Sequence, residues 1–220
     1  MRDPPLSELG SQQCEELQTH LRHHLDIAQH VELIVISPMR RTLQTAQRGL
    51  RWLIDRGVPT ELRCEWQENS DKPCDTGTSI PTISKEFPSF DFSTVSPEYP
   101  SKKGRWAFSE AAMTQRGRNC RQWLKSRPEK VIAVVSHSGF LRLGISHTKY
   151  ANADYRVFDF ADDASDELVE WESTKHRGGG MGRSEKGTAT IGASYFPAEQ
   201  RNETAEAECA PEEVAEEMPG

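Results

Sequence analysis

Apolar positions change their period several times along this chain. Between Ser7 and about His30, Cys14, Leu17, Leu21 and Leu25 recur at steps of three and four, which sets them on one helix face. Val31–Ile36 is apolar apart from Glu32 and predicts a buried strand. Pro38 then opens a second helix to about Asp55, since proline is favoured in a first turn, and Gly57 stops it. Thr60–Trp66 predicts a short strand. Residues 68–103 are rich in Pro, Ser and Thr with weak periodicity, and a connection that long is expected to be a lid or binding insertion. Ser109 caps a helix to about Ser126, with Ala112, Cys120, Trp123 and Leu124 available for packing. Lys130–Ser136 is the clearest strand, Gly139–Ser146 predicts the next helix, and Tyr155–Phe160 alternates with the period of an edge or half-buried strand.

Strands alternating with helices predict an α/β fold with a largely parallel sheet covered on both faces. Ligands in such sheets bind at the carboxyl ends of the strands. Two of those ends carry chemistry: Ser37-Pro38-Met39-Arg40-Arg41 and Ser136-His137-Ser138-Gly139. Each sets a cationic or protonatable group at a strand-to-helix turn where free backbone N–H groups point, which suits a phosphoryl group. His137 is expected at the working edge; a buried histidine bonded to backbone is the plainer alternative. One of Arg40 and Arg41 is expected to face that edge and the other to be a surface charge. An arginine at a helix N-terminus opposes the helix dipole and calls for an anion. Glu68 is a candidate general acid for a leaving oxygen, against the alternative of an ordinary surface carboxylate. Trp66, Lys72, Lys102, Lys103, Arg105 and Trp106 are candidate pocket-lining groups, with surface positions as the alternative.

Composition narrows the field. There are 34 acidic against 27 basic residues, net charge −7, which argues against a general nucleic-acid binder. No apolar run reaches the length of a membrane span, and Met1–Pro5 has no apolar signal region. Five cysteines (14, 64, 74, 120 and 209) lack metal-ligand spacing, so neither a disulfide framework nor a zinc site is expected, and reduced thiols in a cytoplasmic setting are. His20, His23, His24 and His30 converge on no common face with a carboxylate and read as exposed helix histidines. Cys74 lacks the following arginine that a cysteine phosphatase loop needs. Gly178–Gly182 lacks the Lys-Ser/Thr of a nucleotide loop and reads as flexible. Asn202-Glu203-Thr204 matches a glycosylation sequon by chance. Composition shifts near Asp162, so the domain is expected over 1–161 and an acidic, Gly/Glu-rich tail, largely disordered, over 162–220. One short helix anchored by Leu168, Val169 and Trp171 is allowed within the tail.

Several segments, in order, resemble the histidine phosphatase superfamily, the phosphoglycerate mutase-like proteins. Asp3–Gln13 is similar to the family's D-x-x-L-T-x-x-G-x-x-Q, Ser37–Ala46 to S-P-L-x-R-A-x-Q-T-A, and Val134–Gly139 to V-x-H-G-G. Pro73-Cys74-Asp75-Thr76-Gly77 resembles a stretch of a fungal-type branch. The resemblance implies a three-layer α/β/α sandwich and a phosphate pocket of two arginines and two histidines that works through a phosphohistidine. It maps the second arginine to Arg41 and the second histidine to His137, with Ser138 beside it on the phosphate. The acidic proton donor falls on Glu68, and no metal or organic cofactor is implied, because two arginines and two histidines replace a metal's charge. The implied partner is a small phosphorylated molecule or inorganic anion, with no membrane and no nucleic acid; the oligomeric state is left open. The family's nucleophile and first arginine lie in an Arg-His-Gly motif that ends the first strand, and this sequence holds no Arg-His-Gly. The chain therefore reads as N-terminally truncated, with the first strand missing and an interior slot left open in the sheet. Hydrolysis or phosphoryl transfer is implied by the resemblance, activity is doubtful without the nucleophile, and a non-catalytic anion-binding or regulatory protein is the alternative.

Overall fold

The computed structural model describes residues 1–162, 165–189, 191 and 195–197. In chain order the main elements are α1 (Glu8–His24), β1 (Leu33–Ile36), α2 (Arg40–Gly49), α3 (Arg51–Asp55), β2 (Thr60–Leu62) and α4 (Ile80–Glu86). There follow α5 (Glu110–Lys125), β3 (Ile132–Val135), α6 (Ser138–Phe140), β4 (Phe158–Phe160), β5 (Leu168–Glu170) and α7 (Glu172–Lys175). β1 is the middle strand of a parallel sheet of order β2-β1-β3, in register Ile34 with Thr60 and Ile34 with Ala133. All four β1 residues are buried, which accounts for their unbroken apolar character.

Successive side chains of a strand point to opposite faces, and β1 divides the core accordingly. Ile34 and Ile36 join Leu17 and Leu21 of α1 and Leu43 and Ala46 of α2. Leu33 and Val35 join Met113 and Cys120 of α5 and Phe140 of α6. Helices thus cover both faces, as the alternation predicted.

Several element boundaries differ from expectation. The first helix stops at His24, because Leu25 is extended, and a 3-10 turn over Asp26–His30 replaces its end. The second helix begins at Arg40 after an extended Met39 and breaks at Leu50. Met39 supplies no side-chain cap. The fully buried Asp3 does so instead: its carboxylate accepts from Arg40 N (3.0 Å) and Thr78 N (2.9 Å). The Thr60–Trp66 strand shortens to Thr60–Leu62 and continues as a 3-10 turn over Cys64–Trp66. The helix expected from Gly139 starts at Ser138 and widens into a π-helix over Leu141–Ser146. His20 is not free on the surface, since its Nε2 lies 3.2 Å from Tyr155 Oη.

The 68–103 insertion is not a free lid. Phe87, Phe90, Phe92, Val95 and Tyr99 are buried in the cluster beneath α1 and α2, and Tyr99 Oη donates to Pro38 O (3.0 Å). The boundary expected at Asp162 also falls inside structure. β4 and β5 pair antiparallel across it. The Leu168 and Val169 expected to anchor a helix lie in β5, and α7 follows them. Arg156 and Glu170 form a buried ion pair at 2.6 Å. The Asp154 carboxylate gathers the glycine run by accepting from Met181 N, Arg183 N and Ser184 N at 2.8 to 3.0 Å. Cys209, the Asn202 sequon and the acidic end from Glu199 lie outside the described residues. Among the described residues no helix is long and apolar enough to cross a membrane.

β3 is an edge strand. Its Ile132, Ala133 and Val134 are only half-buried, and among the described residues no strand pairs with its outer side. By the alternation of a parallel ladder, with Ser37 N donating to Val135 O, the backbone groups of Ile132 and Val134 face that open side.

Candidate functional site

Ser37 and His137 occupy the carboxyl ends of the adjacent strands β1 and β3, so the parallel register brings them side by side. Ser37 Oγ lies 2.9 Å from His137 Nε2, and both residues are buried. Thr42 Oγ1 of α2 donates to Ser37 O (2.8 Å), tying the first turn of α2 to the end of β1.

Arg41 projects from that first turn into the insertion. Its Nη1 donates to Cys74 O (2.7 Å), and its Nη2 is 3.5 Å from Asp75 and 3.8 Å from Glu68. Arg40 points away to Glu86, so Arg41 is the arginine that faces the strand ends. Glu68 follows the turn after β2. Its Oε1 accepts from Asn69 N and from Phe140 N, each at 3.1 Å, which ties it to α6 directly after His137. The close approach needs Gly139: a Cβ there would stand 2.5 Å from Glu68 Oε1. Lys102, from the far end of the insertion, donates to the backbone carbonyl of Glu68. Arg116 of α5 donates through Nη2 to Asn69 Oδ1 (2.9 Å) and lies over the Phe140 ring at 4.2 Å.

The cluster carries more positive than negative charge. Burial holds His137 well below its ordinary value, and Arg41, Lys102 and Arg116 lower it further, so the imidazole is neutral near pH 7. Burial and Arg116 lower Lys102 to about 7. Burial lowers Arg116 to about 10. Glu68 moves the other way, raised by burial and then by Asp75, against the pull of Arg41. Three cationic side chains around a neutral histidine, with a carboxyl that favours its proton, suit a dianion whose leaving oxygen needs a proton. Among the described residues no three His, Cys, Asp or Glu side chains converge as a metal site requires.

The structure brings together Arg41, His137, Glu68 and Lys102. It leaves Ser138 exposed, with its side chain outside the hydrogen bonds among the described residues. Lys72, Lys103 and Arg105 are also exposed, while Trp66 and Trp106 belong to the core. Ser37 was foreseen as a strand end but not as the partner of His137, and Asn69, Asp75 and Arg116 were not foreseen as site residues. Arg116 did leave a trace in the sequence: it falls three residues after Met113 and four before Cys120, on the inner face of α5.

Comparison with known proteins gives the family. The model of the histidine phosphatase superfamily (branch 1) matches residues 1–178, and the chain belongs to that family. A probable phosphatase of Schizosaccharomyces pombe is 33% identical over 145 residues, covering 64% of this chain and 65% of that protein. A phosphoglycerate mutase-like protein of Arabidopsis thaliana is 31% identical over 168 residues, covering 63% of this chain and 61% of that one. The chain spans somewhat less than two thirds of the length of these curated relatives.

Proposed function

We propose that this member of the histidine phosphatase superfamily binds the phosphoryl group of a small phosphomonoester, or inorganic phosphate, between Arg41 and His137. One observation carries the reading: a buried, neutral His137 at a strand end lies within the field of Arg41, Lys102 and Arg116. The bound dianion compensates those cations. The Arg41 guanidinium releases its loose contacts with Asp75 and Glu68 to hold the phosphoryl oxygens, and His137 donates to them, with the Glu68 carboxyl beside the bound group.

Turnover by the family route needs a histidine that attacks phosphorus in line. This sequence has no Arg-His-Gly, and His137 stands where the family has its second histidine. The chain as given therefore binds without phosphohistidine turnover. The test is calorimetry with inorganic phosphate beside hydrolysis of an aryl phosphate, each run on the wild type and on His137→Ala. Binding that weakens at least tenfold in the variant, with no turnover in either protein, is expected. Absence of binding heat sinks the reading. Hydrolysis that vanishes in His137→Ala sinks the binding-only part of it.

The open side of β3 favours a second reading, in which a further strand carrying Arg-His-Gly adds beside His137 in a longer form of the protein and completes a phosphatase. Phosphatase is preferred over mutase, since no residue here is specified for holding a phosphoryl enzyme away from water. Mapping the 5′ end of the message and finding no such codons refutes this second reading.

A further inference from the structure

Arg116 stands between the pocket just described and a second cavity on its other side. That cavity, of about 390 Å³, is walled by α5 (Ala112, Asn119), by Trp106 and Trp123, and by Arg63 and Glu65 after β2, with Arg116 part of its wall. Its size is that of a small-molecule site. Arg63 lies over the Trp123 ring at 4.2 Å and is paired with Glu61 (3.0 Å), while exposed Arg105 is paired with Glu98 (2.7 Å). Their charges are therefore already answered. That of Arg116 is not: the residue is 4% exposed, and its Nε and Nη1 are buried without a hydrogen-bond partner among the described residues. Its nearest fixed polar contacts are neutral, Asn69 Oδ1 and Met113 Sδ. A buried guanidinium without a counter-ion is costly, and an anion beside it removes that cost. With Arg63 and Arg105 paired, Arg116 is the cation of this wall whose charge is left over, and apart from Glu65, Gln115 and Asn119 the rest of the wall is aromatic or apolar.

We propose that this cavity is a second binding site, separate from the His137 pocket, for a small organic carboxylate with an apolar body. The carboxylate approaches Arg116, and the ring or alkyl body lies against Trp106 and Trp123. The two sites share one side chain, because Arg116 Nη2 holds Asn69, whose N–H holds Glu68. An anion in the cavity therefore weakens the positive field on His137 and lowers the affinity of the first pocket for phosphate.

The test is a benzoate titration of the full chain followed by calorimetry and tryptophan fluorescence, with phenylphosphonate as a second probe. Benzoate is expected to bind saturably with unchanged affinity in His137→Ala. It should bind at least tenfold more weakly in Arg116→Met and in Ala112→Phe, which fills the cavity from the half-buried position one helical turn before Arg116 and leaves the buried charge in place. Ala112→Phe keeps the test valid if Arg116→Met does not fold. Saturating benzoate is also expected to weaken phosphate binding severalfold. Absence of saturable benzoate binding overturns the proposal. So does binding that survives Ala112→Phe, or binding lost in His137→Ala. Phenylphosphonate bound in the cavity where benzoate is not overturns the carboxylate assignment.

Discussion

Replacing Lys102 by methionine probes the charge balance of the pocket directly. The ammonium falls from an ordinary 10.5 to about 7, through burial first and Arg116 second, with Glu68 and Asp75 compensating only in part. Below pH 7 the folded and unfolded chains both carry the proton, and the folded state bears the whole cost. Between pH 7 and 10.5 the unfolded chain holds a proton that the folded chain lacks, so stability rises with pH. Above that interval both are neutral and the cost is gone. Over the interval, at ~1.4 kcal/mol per pH unit, the cost comes to roughly 5 kcal/mol. The variant also loses the Nζ bond to the Glu68 carbonyl, ~1–2 kcal/mol. Urea unfolding should therefore find Lys102→Met more stable than wild type by roughly 3 kcal/mol at pH 6, the gain shrinking through pH 8 and reversing below pH 10.5, once the remaining cost falls under that of the lost bond. A gain that does not change with pH, or no gain at pH 6, refutes the reasoning.

The same displacement makes a binding prediction. At pH 8 most Lys102 is neutral in the folded chain, and a bound dianion restores its proton. Sulfate is a suitable probe because it does not itself titrate there. Calorimetry in buffers of different ionisation enthalpy should show proton uptake on sulfate binding by the wild type and almost none by Lys102→Met. Equal uptake in both proteins would assign the proton to another group.

Three further outcomes are expected. Gly139→Ala forces Glu68 out of its seat, since the added Cβ stands 2.5 Å from Oε1 and 3.0 Å from Asn69 Nδ2. Phosphate affinity should change severalfold while stability falls by ~1–3 kcal/mol; unchanged affinity by calorimetry would show that Glu68's position does not shape the pocket. Glu170→Ala leaves Arg156 buried and unpaired, with a loss of ~3–5 kcal/mol in denaturant unfolding, and a loss under 1 kcal/mol would mean that this hairpin contributes little to folding. Val134→Pro removes an N–H from the open side of β3 without touching the ladder to β1, so light scattering should show less concentration-dependent association than in wild type, whereas equal scattering would argue that this edge is not where copies meet.

What the sequence made legible is what local rules govern. The β1 and β3 runs, the Ser7 and Ser109 caps and the two strand ends at Ser37 and His137 were all predictable, because periodicity, capping and the parallel-sheet rule act over a few residues or over whole layers. The choice between Arg40 and Arg41 is settled by partners 46 and 27 residues downstream, Glu86 and Glu68. Of the two readings of the insertion, a lid or a binding insertion, periodicity could not choose, because its apolar residues (Phe87, Phe90, Phe92, Val95 and Tyr99) keep no helical or strand period; they pack as single anchors from irregular chain. The boundary at Asp162 was misplaced for a related reason. β4 and β5, on either side of that polar run, pair as antiparallel strands, and charge density alone does not distinguish a tail from a stretch between paired strands.

The charge balance of the pocket is the part least visible to local reading. Lys102 and Arg116 come from segments with no shared pattern, and each is tied to the loop that carries Glu68: Lys102 to the Glu68 carbonyl, Arg116 to Asn69. A lysine in a polar loop and an arginine on a helix are ordinary surface residues by composition. They become site residues only because the end of β2 lies beside the end of β3 across β1, which draws the Glu68–Asn69 turn against α6 and leaves Arg116 buried and Lys102 half-buried. Sheet topology thus sets both the position of His137 and its neutral state. A parallel register fixes where the histidine sits, and its burial there, reinforced by the cations crowded around it, keeps the proton off. Changes to that crowding, as in Lys102→Met or Arg116→Met, should therefore raise the pKa of His137 without moving the residue. An NMR titration of His137 that showed no rise in either variant would break the link between topology and charge.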